Sequence, residues 1–240
     1  MGKGWLGAVI ALVAMAAAAP EVVEKEVDGV KYRLVIAEAA AIRIVWQDGD
    51  GKALRTFPAA AGYLGGKGGK LVALMNGGIF EPGGVPSGLL VQEGKELRPV
   101  NRREGKGNFF LKPNGIFYVT ETGAGVVKTE EWPVAGKVAF AVQSGPLLLR
   151  AGKVHPVFRK ESTSRLHRNG VGVKPDGTVV LAISDFHSPK FPNLYEFAML
   201  FQSLGCEDAL FFDGDISRMI TEGWEKAGGQ AYGSFVGVVD

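Results

Sequence analysis

The chain has 240 residues, 46% hydrophobic and 22% charged, which is enough apolar material for one large core and excludes a disordered chain. Its 27 basic and 25 acidic residues leave a formal charge of +2 without a dense cationic run, which excludes a protein that tracks a nucleic-acid backbone. Cys206 is the single cysteine, so an internal disulfide is excluded, and its apolar neighbours predict a buried thiol rather than a nucleophile.

The first residues read MGKGWLGAVIALVAMAAAAP, a lysine, an apolar run from Trp5 to Met15, and small alanines before Pro20. This order predicts a cleaved secretory signal peptide over residues 1–19 and a mature domain over 20–240, periplasmic or secreted, with no stable membrane span once the signal is removed. A retained anchor is the other reading, but the apolar run falls short of the ~20 residues a span needs.

Two β-rich runs follow, VDGVKYRLVIA and AIRIVWQDGDG, which alternate apolar and other residues and are expected to pair with each other. TFPAAAGYL predicts a short helix, with a hydroxyl at its start and proline early. LVALMN is a continuous apolar run that delivers Asn76 to an edge of a sheet. Hairpins are predicted with turns at Glu93 and Gly94, at Pro113 to Gly115, at Ala151 and Gly152, and at Pro175 to Gly177. NLYEFAMLFQSLG predicts the longest helix, capped by Asn193 and stopped at Gly205, and it leads into the apolar run ALFFD. The fold class is therefore α+β, a single domain with a large, mostly antiparallel mixed β-sheet and few helices.

Three glycine-rich junctions end apolar strands: MNGGIF, AVQSGP and FFDGDISRM. Each sets a polar residue where the backbone has little cover, namely Asn76 with Gly77, Gln143 with Ser144, and Asp213 with Gly214. Nucleotide-binding glycine loops, HExxH and zinc-type cysteine pairs are missing from the sequence, and His155, His167 and His187 have no metal-ligand spacing. Neither a metal nor a cofactor is expected. The segment 159–168, RKESTSRLHR, mixes cations with hydroxyls and suits a small anion better than a polymer. His167 is the histidine most suggestive of function there.

The ordered set MNGGIF, PSGLLVQEGKEL, GNFFLKPNGIF, AVQSGPLLL, RNGVGV and ALFFDGDISRM, from about Leu71 to Ile220, resembles the phosphodiester glycosidase family, and within it a bacterial branch of unknown function. That family includes the lysosomal enzyme that removes N-acetylglucosamine from a phosphodiester. The resemblance implies hydrolysis of a sugar 1-phosphodiester in an envelope or extracellular glycan. Where the lysosomal branch tends to carry DGGGS this chain has DGDIS, so Asp213, Gly214 and Ser217 carry over and Asp215 and Ile216 do not.

Such chemistry needs a carboxylate to activate water or attack the anomeric carbon, and donors for the phosphate. Asp213 is the expected catalytic residue, with Glu81 and Asp185 as reserve carboxylates. Arg165, Arg168 and Arg218 are candidate phosphate ligands, because guanidinium forks match phosphate oxygens. Asn76, Gly77, Gln143, Ser144, Gly214 and Ser217 complete the expected contacts to a small sugar phosphate or glycan. The competing expectation is a non-catalytic envelope module that holds such a ligand without cleaving it, and a purely structural envelope protein is a third.

Overall fold

The computed structural model describes residues 18–221 and 230–240. The signal peptide expected over 1–19 lies, but for its last two residues, outside them. No helix among the described residues is long and apolar enough to cross a membrane.

The architecture is α+β, with two α-helices and strands in three main sheets among the described residues. Every strand pairing among the described residues is antiparallel. A seven-stranded sheet runs in the order Glu21–Val27, Val30–Ala37, Val179–Ser184, Asn169–Val173, Asp208–Asp213, Leu147–Arg150, Lys153–Val154. A four-stranded sheet has the order Met219–Thr221, Leu71–Gly77, Ser234–Val239, Ile42–Val45. The third sheet, five-stranded, is built from Gly123–Lys128, Gly115–Thr120, Val138–Ser144, Leu90–Gln92 and Lys95–Arg98 in that order.

Alternation of side chains along the strands divides the core. Val171, Leu181, Leu210 and Phe212 of the seven-stranded sheet meet Ile44, Met75 and Val236 of the four-stranded one, with Phe117 and Val142 of the third sheet. The other face of the seven-stranded sheet presents Leu34, Val180, Ala209 and Phe211 to Phe197 and Phe201. Those two rings belong to α2, Leu194–Ser203, whose Asn193 cap accepts the Glu196 N–H at 2.9 Å while Glu196 reaches back to the Asn193 N–H at 3.2 Å. The shorter α1, Phe57–Gly65, is capped by Thr56 and covers the four-stranded sheet with Phe57, Ala60 and Leu64.

Two sequence expectations need correction. Val30–Ala37 does not pair with Ile42–Val45; it lies between Glu21–Val27 and Val179–Ser184, whereas Ile42–Val45 pairs with the C-terminal strand. The 3-10 turn Ala39–Ala41 carries the chain from one sheet to the other. The hairpin expected around Pro113 also fails on its first limb, because Asn108–Phe110 is a 3-10 turn and only Gly115–Thr120 is a strand. Hairpins do form at Glu93 and Gly94, at Ala151 and Gly152, and between Asn169–Val173 and Val179–Ser184. Cys206 is buried, and burial pushes its thiol up to about 12.

Glycines let α2 lie close on the strand Asn169–Val173. A Cβ on Gly170 would stand 2.6 Å from the Leu210 carbonyl oxygen and 3.3 Å from the Phe197 ring, and one on Gly172 would meet the Phe201 ring at 2.5 Å. Backbone cannot yield as a flexible side chain can. Gly170→Ala is expected to destabilise the fold by about 1–3 kcal/mol through overpacking, read as a lower urea midpoint. An unchanged midpoint contradicts this packing.

Candidate active site

Asn76, near the end of the strand Leu71–Gly77, is buried and reaches across from the four-stranded to the seven-stranded sheet. Its Nδ2 donates to Asp213 Oδ2 at 2.9 Å. Its Oδ1 accepts the Arg218 N–H at 2.7 Å and Asn169 Nδ2 at 3.0 Å, and Asn169 Nδ2 also donates to the Asn76 carbonyl at 2.8 Å.

A β-bulge aims Asp213 at this amide. Asn169 pairs with Asp213 while Gly170 pairs with Phe211, so Phe212 is an extra residue on its strand. Regular alternation would send Phe212 and Asp213 to opposite faces. With the bulge, Phe212 enters the core between the sheets and Asp213 turns toward Asn76 on the same side. Ser144 steadies the bulge by donating to the Phe212 carbonyl at 3.2 Å and accepting the Ile79 N–H.

Asp213 Oδ1 accepts the Gly214 N–H at 2.8 Å. Burial raises its pKa to about 6, against the two N–H donors that favour the carboxylate and with a small push from Asp215. A Cβ on Gly214 would meet nothing nearer than the His167 carbonyl at 3.9 Å, so the space beside the carboxylate is open.

Arg218 is locked by its backbone to Asn76 and leaves its guanidinium exposed, 5.8 Å from the centre of the Phe186 ring. Among the described residues it has no ion pair. Phe186 is 57% exposed, and its edge meets His167 at 5.7 Å. His167 is buried, bonds Ser184 Oγ through Nδ1 at 2.9 Å, and is driven down to about 4 first by burial and then by Arg218, despite a hydrogen bond to the Ser217 backbone. The imidazole is therefore neutral and positions the loop 213–218. Asn169 Oδ1 and Ser217 Oγ are buried here with no partner among the described residues, an expense typical of functional sites.

The structure thus gathers Asn76, Asp213, Gly214, Ser217 and Arg218, with Ser144 one carbonyl away. Other expected residues are engaged elsewhere. Gln143 uses all four amide positions to clamp a loop, accepting the Leu89 and Asn101 N–H groups and donating to the Asn101 carbonyl and Thr129 Oγ1. Gly77 is a packing glycine, since a Cβ there would stand 2.6 Å from Val236 Cγ2. Arg165 is paired with Glu196 at 2.5 and 2.8 Å. Arg168 points to the α2 face, donating to the carbonyls of Pro192 and Ser164 and lying over the Phe211 ring. Glu81 accepts from Ser87 Oγ, and Asp185 accepts the His187 N–H while adding a weak field at His167.

Asn169 and Phe186 were missed by the sequence reasoning. Asn169 hides inside RNGVGV, where the glycines draw the eye. Phe186 is an apolar residue in the polar loop DFHSPK, a mismatch that could have found it. Among the described residues no group of three or more His, Cys, Asp or Glu side chains converges as metal ligands.

The sequence model of the phosphodiester glycosidase family matches residues 69–235. The uncharacterized protein YigE of Escherichia coli (strain K12) is 34% identical over 190 residues, 77% of this chain and 73% of YigE. The catalytic domain of zebrafish N-acetylglucosamine-1-phosphodiester alpha-N-acetylglucosaminidase, auto-inhibited by its pro-peptide, shares the fold with a TM-score of 0.65 at 15% identity, over 92% of this chain and 82% of that one. A putative exported protein of Burkholderia pseudomallei K96243 has a TM-score of 0.53 at 14% identity, over 88% of this chain and 74% of its own.

Because the folded state holds the Asp213 proton more tightly than an unfolded carboxyl near 3.8, stability from this group is present below that pH and is lost as pH rises through about 6. Asp213→Asn, which carries no charge, is expected to gain in melting midpoint relative to wild type between pH 4 and pH 7.5. A difference that does not change with pH contradicts the description of a partly buried carboxylate.

Proposed function

The chain belongs to the phosphodiester glycosidase family, and from that premise we propose that its Asp213 site hydrolyses a sugar 1-phosphodiester in an envelope or extracellular glycan. The observation that carries this reading is a carboxylate whose two oxygens are already held by N–H donors, in one hydrogen-bonded cluster with an arginine that has no ion pair among the described residues.

In the proposed reaction the bond from the anomeric carbon to the phosphate oxygen breaks, and the phosphate departs as an anion. A phosphate is a good leaving group, so a general acid is dispensable and one carboxylate suffices. Asp213 either takes a proton from the water that attacks the anomeric carbon, or attacks that carbon itself to form a glycosyl ester that water then hydrolyses, freeing the carboxylate. Arg218 binds the phosphate, which is anionic already in the substrate. The exposed Phe186 ring offers an apolar face for the sugar. Gly214 leaves room for the substrate to approach the Asp213 backbone. Export to the periplasm or medium is part of the proposal and rests on the leader-like pattern of residues 1–19.

A panel of sugar 1-phosphodiesters, assayed for released sugar, tests the reading. Wild type is expected to turn over at least one member. Asp213→Asn is expected to lose about 10²–10⁴-fold in kcat, the range for a missing acid–base group. Arg218→Ala is expected to act mainly on KM. Unchanged turnover in Asp213→Asn would sink the assignment, and saturable binding without turnover anywhere in the panel would favour the non-catalytic module.

A further inference from the structure

The segment 159–168 wraps the N-terminus of α2. Asn193 Nδ2 donates to the carbonyls of Lys160 and Ser162 at 2.9 and 3.0 Å, and the Leu166 N–H reaches the Pro192 carbonyl. Between segment and helix lies a cavity of about 430 Å³, within the ~300–1,000 Å³ usual for small-molecule sites.

Arg168 lines this cavity and is 1% exposed. It has no carboxylate partner among the described residues. Nε donates to the Pro192 carbonyl and Nη2 to the Ser164 carbonyl, each at 3.0 Å. A buried cation without a counter-ion is costly, and burial lowers Arg168 to about 10.

The helix adds donors. Leu194 and Tyr195, also on the cavity wall, are the first two residues of α2, whose first-turn N–H groups have no acceptor within the helix itself. Ser162, Thr163 and Ser164 contribute hydroxyls to the lining. Glu161 and Arg159 on the lining are both exposed, and the field of Asp215 opposes the burial of Arg168 without forming an ion pair with it among the described residues.

We propose that this cavity is a second binding site, on the α2 face and apart from the Asp213 cluster, for the phosphate group of a small phosphorylated molecule. Donors that converge from a guanidinium, a helix end and hydroxyls suit a tetrahedral oxyanion with several acceptor oxygens. Leu111, Val157 and Phe158 supply an apolar wall for the organic part. The two sites are set apart by the sheet itself. Arg168 lies over Phe211, which packs against α2, whereas the adjacent Asn169 reaches Asn76 between the sheets.

Calorimetric titration of the full chain with inorganic phosphate and with a hexose 6-phosphate tests the site. Saturable binding of at least one probe is expected, retained in Arg218→Ala. Thr163→Trp fills the cavity from an exposed position while leaving Arg168 in the chain, and is expected to weaken that binding by about ten-fold or more. Arg168→Gln, if it folds, is expected to do the same. Absent binding, binding unchanged by Thr163→Trp, or binding abolished by Arg218→Ala alone overturns the proposal. Since the readout is affinity rather than turnover, its failure is separable from failure of the Asp213 assignment.

Discussion

The amide of Asn76 is the contact on which the site depends. It rises from the four-stranded sheet and joins the Asp213 carboxylate, the Asn169 side chain and the Arg218 backbone. One side chain thereby fixes the relation between two sheets at the end where their polar residues meet. An aspartate would have no N–H for Asp213 and would set two buried carboxylates together, and an alanine would strand several buried polar groups. The bulge at Phe212 is the matching device on the other sheet, because without it the carboxylate would face α2.

The electrostatic consequence follows from this arrangement. A carboxylate this enclosed loses solvation, and the two N–H donors recover part of that loss, so Asp213 comes to rest near pH 6 rather than near 4. A group at this value is largely ionised at neutral pH and is a stronger base than a solvated carboxylate. Stability is given up for that poise, as is common at functional sites. Neutral His167 and the exposed Arg218 complete a field in which the permanent positive charge stands at the open side of the site.

Much of this was legible in the sequence. Both helices, with their Thr56 and Asn193 caps, and the turns at Glu93–Gly94 and Ala151–Gly152 follow local rules of capping and positive-φ turns. Asn76 and Asp213 could each be read as a polar residue closing an apolar strand. Their meeting could not, since 137 positions separate them and strand order is set by burial across the whole domain. The pairing of Ile42–Val45 with the C-terminal strand was hidden for the same reason. Gln143 looked like Asn76 in sequence, and only its three-dimensional neighbours reveal that its amide is fully used as a clamp. Arg165 and Arg168 share one segment yet differ entirely, the first paired with Glu196 and the second buried with no ion pair among the described residues.

The central claim is that Asp213, held by Asn76, is the group that governs the chemistry. The direct measurement is a carbon-13 titration of the Asp213 carboxyl laid over the pH dependence of kcat/KM. The account predicts that both turn at about pH 6, with activity falling on the acid side as the carboxylate gains its proton. An Asp213 that titrates as an ordinary solvated carboxyl, or a rate profile that ignores its titration, would contradict it.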